Sequence, residues 1–127
     1  MTLYAQTSGG QSTSSASWVP IPGLSFTIPE GVGTSALVIL NLPNPYATGK
    51  NNPGGVLGVS VNGTVSPVVA SFTYNEQVPP STGRIPTTLV VGVPLAGKPQ
   101  AVAAMWQGVR GSTVIIDSPA TLSAILG

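Results

Sequence analysis

Thirteen prolines fall at positions 20, 22, 29, 43, 45, 53, 67, 79, 80, 86, 94, 99 and 119, and sixteen glycines are scattered among them. A proline inside a helix costs about 3 kcal/mol, so this spacing leaves little room for a helix of ordinary length. Between the breaks lie short runs rich in Val, Ile, Leu, Thr and aromatic residues. They predict strands at Leu24–Ile28, Ala36–Leu42, Val56–Val61, Val68–Asn75, Thr87–Val93, Ala101–Val109, Thr113–Ile116 and Leu122–Leu126. Short strands at regular spacing with turn residues between them indicate an all-β sandwich, jelly roll or barrel. The 127 residues suit a single domain, and nothing along them marks an internal boundary or repeat.

Two of the runs make further demands. In Val56–Val61, Leu57, Val59 and Val61 alternate with Val56, Gly58 and Ser60, the pattern of a half-buried strand. Ala36-Leu-Val-Ile-Leu-Asn-Leu42 is apolar on both faces, so it is either central with its outer face covered or part of a subunit interface. Left bare, such a strand is an aggregation hazard. Only 6% of the residues are charged, and this blandness together with the two-faced strand favours an oligomer. Residues 6–17 are polar and low in complexity, and are expected to form a flexible arm or a solvated first loop.

The residue types that are missing exclude whole classes of function. Four Lys plus Arg cannot build a nucleic-acid surface. No apolar run approaches the ~18 residues of a membrane-spanning helix. Without His or Cys there is no Ser-His-Asp or Cys-His nucleophile system and no zinc site of the common kinds. Glu30, Glu76 and Asp117 are the only carboxylates. They are too few for an all-side-chain calcium cluster, and nothing local sets two of them across a glycosidic bond. No cofactor, no metal and no enzymatic activity are therefore expected. The residues after Met1 lack the basic and apolar regions of a secretory signal peptide, so the location is expected to be cytoplasmic, or outside the cell by a leaderless route.

With so few charges, the surroundings of the cations matter. Arg84 follows Ser81-Thr82-Gly83 and Arg110 precedes Gly111-Ser112, while Thr73-Tyr74 lies shortly before the first of them. Arginine forks, a tyrosine and small hydroxyls are the groups that bind a neutral polyol such as a sugar. The competing reading pairs Arg84 with Glu76 and Arg110 with Asp117, as ion pairs that fix loops. Trp18 and Trp106 are expected in core or interface packing.

Several long blocks narrow the choice: Val38-Ile-Leu-Asn-Leu-Pro-Asn-Pro-Tyr-Ala-Thr-Gly49, Phe72-Thr-Tyr74, Val78-Pro-Pro-Ser-Thr-Gly-Arg-Ile-Pro86, Val109-Arg-Gly-Ser112, Ile116-Asp-Ser118 and Leu122-Ser-Ala-Ile125. From about Val19 onward they resemble, in order, the tumour-necrosis-factor-like fucose-binding lectins represented by the N-terminal domain of the Burkholderia cenocepacia superlectin. The resemblance implies a jelly-roll β-sandwich that assembles as a homotrimer, with calcium-independent sites for L-fucose and fucosylated cell-surface oligosaccharides between neighbouring subunits. Carried over residue by residue, it makes Arg84 and Arg110 the arginines that hydrogen-bond the sugar. Thr73 and Tyr74 become a ligand-contacting pair, with Ser81 and Thr82 as polar contacts and Tyr46 at the site's edge. Asp117 and Ser118 fall where contacts extend to a larger oligosaccharide. Val56 stands where the relative has a site tyrosine, and an aspartate of the relative falls at Val69 or Ala70. A lost hydrogen bond to a sugar hydroxyl costs ~0.5–1.5 kcal/mol, so the oligosaccharide preference is expected to differ. The relative's second, calcium-dependent lectin domain has no counterpart in these residues. A structural or adhesive trimeric jelly roll without its own sugar site is the competing function.

Overall fold

The computed structural model describes residues 2–127. Twelve strands are formed by the described residues: β1 (Thr2–Gln6), β2 (Gln11–Thr13), β3 (Val19–Ile28), β4 (Ser35–Leu42), β5 (Pro45–Thr48), β6 (Gly54–Val61), β7 (Thr64–Val65), β8 (Ala70–Thr73), β9 (Thr87–Pro94), β10 (Gln100–Val109), β11 (Thr113–Ile116) and β12 (Thr121–Leu126). All eight expected strands are present, although the Val68–Asn75 run shortens to β8. Among the described residues no helix is long and apolar enough to cross a membrane.

The strands pair antiparallel in a nested set, β1 with β12, β3 with β10, β4 with β9 and β6 with β8. Folding a long hairpin over itself in this way produces two facing sheets, ordered β1-β12-β4-β9 and β3-β10-β6 with β7 and β8 both on β6. That wrapping is a jelly roll, and the fold is an all-β sandwich. A third, smaller sheet, β2-β11-β5, continues from β10 at one end.

Alternate residues of both sheets meet in one core. Ala36, Val38, Leu40 and Leu42 of β4 face Leu57 and Val59 of β6 and Val102, Ala104 and Trp106 of β10, all of them buried. Trp106 is therefore a core residue, as expected. Trp18 packs outside: its ring covers Gly58, where an added Cβ would lie 3.1 Å from the Trp18 ring. Gly58 under that cover, and Ser60 two residues on, are buried on the face the alternation marks as solvated.

One expectation changes and one pair of alternatives narrows. Residues 6–17 are not a free arm, because they hold the end of β1 and all of β2, which pairs with β11 from Gln11↔Ile116 to Thr13↔Val114. The second concerns β4, whose outer face is not covered within the chain. Leu37 is 50% exposed, and register sets it between Ile125 and Gly92, both also exposed. Ile39 lies beside half-exposed Val90, and Tyr4 is exposed on β1, the edge strand beyond β12. The outer face of this sheet is thus an apolar patch, and exposed Val68 and Val69 immediately precede β8.

Two arginine clusters form the candidate sugar site

Arg110 sits in the two-residue turn that joins β10 to β11. The Ser112 N–H donates to the Val109 carbonyl at 2.9 Å, and both central residues have positive φ, 50° at Arg110 and 74° at Gly111. A left-handed conformation costs an ordinary L-residue about 1–2 kcal/mol, and Asn or Gly is the usual occupant. Strain of this kind at a non-glycine residue is a signal of function. Buried Ser112 anchors the turn, with its Oγ accepting from the Gly54 N–H at 3.0 Å and donating to the Val109 carbonyl.

From that turn the guanidinium reaches the 51–53 loop. Arg110 Nε donates to the Asn51 and Asn52 carbonyls at 3.2 and 2.9 Å, and Nη2 donates to the Asn52 carbonyl and to Thr73 Oγ1. Thr73 in turn donates to the Asn52 carbonyl at 2.9 Å. Asn52 itself is left-handed, with φ 43°. Beside them Val56, Ser71, Phe72, Thr73 and Arg110 line a cleft of about 300 Å³. Val56 is half-buried and faces Ser71 and Gln107 across the sheet, so it presents an apolar wall to this cleft.

Arg84 belongs to a separate cluster. It lies on residues 74–86, a stretch without strand pairing, fixed on either side of the arginine. The Tyr74 hydroxyl donates to the Gly83 carbonyl at 2.6 Å, and the Ile85 N–H donates to the Pro45 carbonyl at 2.9 Å. The guanidinium stacks on Tyr46 of β5, with Cζ 3.7 Å from the ring centroid, and its Nη2 pairs with Asp117 Oδ2. Both side chains of this ion pair are more than two-fifths exposed, so it contributes only about 0–1 kcal/mol to folding. Ser118 accepts from Asn44 Nδ2 at 2.9 Å. Ser81 is exposed and Thr82 half-buried on the same stretch as Arg84. Burial raises the pKa of Tyr74 above its usual 10.0, while the Ala47 N–H and the Arg84 charge pull the other way.

The ion pairs of the competing reading, Arg84 with Glu76 and Arg110 with Asp117, do not form among the described residues; Asp117 pairs with Arg84 instead. Tyr46, Tyr74, Arg84 and Asp117 come together, with Ser118 next to Asp117; Thr73, Val56 and Arg110 come together elsewhere. Thr73 and Tyr74 are neighbours in sequence but serve different clusters. Each guanidinium keeps N–H groups outside any intramolecular hydrogen bond among the described residues: Nη1 on Arg110, and Nε and Nη1 on Arg84. Asn44, Asn52 and the Gly83 carbonyl are partners that residue type alone does not point to. Asn52 carries a weak signal, an Asn in a polar loop, a residue type that tolerates the left-handed conformation. Among the described residues no cluster of His, Cys, Asp or Glu is able to hold a metal ion.

None of the curated proteins compared with the chain matches it. Two of the solved structures to which the chain is similar are these. One is the CBM36-1 domain of a multidomain xylanase from the hindgut metagenome of Trinervitermes trinervoides, 13% identical over 100% of this chain and 98% of that one, with a TM-score of 0.48. The other is Eiger TNF from S. frugiperda, 13% identical over 99% of this chain and 92% of that one, with a TM-score of 0.45. At these scores neither bears on function. The family model for the Bc2l-C N-terminal domain matches residues 3–125, nearly the whole chain. The protein belongs to the Bc2l-C N-terminal domain family.

Proposed function

We propose that the protein is a non-enzymatic, calcium-independent lectin that binds L-fucose and fucosylated glycans at three clefts between the subunits of a homotrimer. Family membership supports a carbohydrate-binding role. The observation that carries the reading is the pair of arginine clusters, each with N–H donors outside any intramolecular hydrogen bond among the described residues. Assembly brings the Arg84 cluster of one subunit against the Arg110 cluster of the next. A ring of this kind joins two different surfaces, and this reading assigns to it the exposed residues Leu37 and Ile125 on one side and Val68 and Val69 on the other.

In that cleft Arg84 and Arg110 donate charge-assisted hydrogen bonds to sugar oxygens, each worth about 1.5–3 kcal/mol once water is excluded. Tyr74 gives ring area and Thr73, Ser81 and Thr82 fix orientation. Val56 leaves room and an apolar wall beside Arg110. Single sites are weak and three together give avidity on a cell surface.

Titration with methyl α-L-fucoside in the presence of EDTA tests this. Saturable heat, abolished by Arg84→Ala in a protein that remains trimeric, is expected. No response at tens of millimolar would leave a structural or adhesive trimer as the function, and monomers from Arg84→Ala would make that arginine an interface strut.

A further inference from the structure

Arg84 has a pinned backbone, while its side chain depends on two partners far away in sequence. Hydrogen bonds at Gly83 and Ile85 hold the chain on both sides of it. The side chain itself has four freely rotating torsions and lies on an exposed segment. Tyr46 supplies a flat surface beneath the guanidinium, yet a ring face alone lets the planar group slide and turn. What fixes its in-plane orientation is the Asp117 carboxylate at Nη2. Asp117 is in turn held from both sides. It follows Ile116, whose pairing with Pro45 ends the β5–β11 ladder, and it precedes Ser118, which Asn44 holds.

We infer that Asp117 is a positioning residue of the sugar site: it turns the Arg84 guanidinium on Tyr46 so that Nε and Nη1 face the ligand, and makes no contact with the ligand itself. The inference rests on the lectin reading above and departs from the role in oligosaccharide extension that the resemblance implies for this residue. Because the pair is half exposed, the fold does not need it. Its effect is to hold in advance an orientation that the sugar would otherwise have to select.

The test uses two ligands, methyl α-L-fucoside and a fucosylated trisaccharide, with the intact trimer. Asp117→Asn is expected to weaken both by the same factor, roughly tenfold, with an unchanged melting temperature. Asp117→Glu recovers most of the loss. In the ligand-free protein, the NMR order parameter of the Arg84 Nε–H falls in Asp117→Asn and is restored in Asp117→Glu. A loss confined to the trisaccharide would show that Asp117 touches the extension and overturns the inference, as would unchanged affinity for both ligands. Wild-type protein that binds neither ligand overturns the lectin reading, and the inference with it.

Discussion

The guanidinium of Arg84 rests on the ring of Tyr46, its Cζ 3.7 Å from the ring centroid, although 38 positions separate the two residues (84 − 46). The β5–β11 ladder accounts for the meeting. Pairing of Pro45 with Ile116 sets Tyr46 beside the residues that follow β11, and the hydrogen bond from Ile85 to Pro45 draws the Arg84 segment onto the same strand. Cation, ring and carboxylate are therefore consequences of one sheet end, and variants of that end and of the Arg110 turn make distinct predictions.

Replacing Arg110 separates strain from function. Arg110→Asn relieves a left-handed residue at a small cost in exposed hydrogen bonds, so stability in urea is expected to stay within about 1 kcal/mol of wild type while fucoside binding is lost. Arg110→Val, branched at the same φ, is expected to destabilise by about 1–3 kcal/mol. Equal stabilities for the two variants would contradict the turn geometry.

Gly54 is required for close approach. An added Cβ would lie 2.2 Å from the Phe72 carbonyl oxygen and 2.9 Å from the Thr73 Cα, both backbone atoms of the paired strand. Gly54→Ala is expected to push β8 off β6, costing about 1–3 kcal/mol and displacing Thr73 from Arg110. Urea unfolding and fucoside titration on the same sample read both effects.

Tyr74 predicts an alkaline effect. Burial raises its pKa above 10.0, so the folded state favours the protonated phenol that donates to Gly83. The stabilisation is complete below the unfolded-state value near pH 10 and is lost as pH rises through the raised value. The stability advantage of wild type over Tyr74→Phe is therefore expected to be flat up to about pH 10 and to shrink above it. An advantage that grows there would contradict the assignment.

The apolar face of β4 predicts the assembly. Leu37→Asp places a charge among Ile125, Gly92 and Val90 and is expected to give folded monomers by sedimentation, with native β-sheet circular dichroism and no fucoside binding. A trimer that survives this change would mean that another surface forms the interface.

The strands legible in the sequence were those with enough Val, Ile and Leu to show a period. Those that escaped lack it. Gln11-Ser12-Thr13 has no apolar residue and is a strand only because β11 offers it an edge, while Thr64-Val65 exists because Asn62 and Gly63, at φ 53° and 85°, turn the chain back on β6. The candidate site was legible as residue types, arginines beside small hydroxyls and tyrosines. Its pairing was not. Glu76 is near Arg84 along the chain, but the β5–β11 ladder delivers Asp117 to it, and only long-range register contains that information.

The claim that one site draws on two subunits is tested most directly by mixing two inactive chains. Arg84→Ala and Arg110→Ala trimers, each purified alone, are expected to show no fucoside binding. Co-expressed chains form mixed trimers in which an Arg84 from one chain meets an Arg110 from the other, so the account predicts that binding returns, with wild-type affinity at a fraction of the sites. Mixed trimers of confirmed composition that stay silent would place both arginines of a site on one chain and contradict the account.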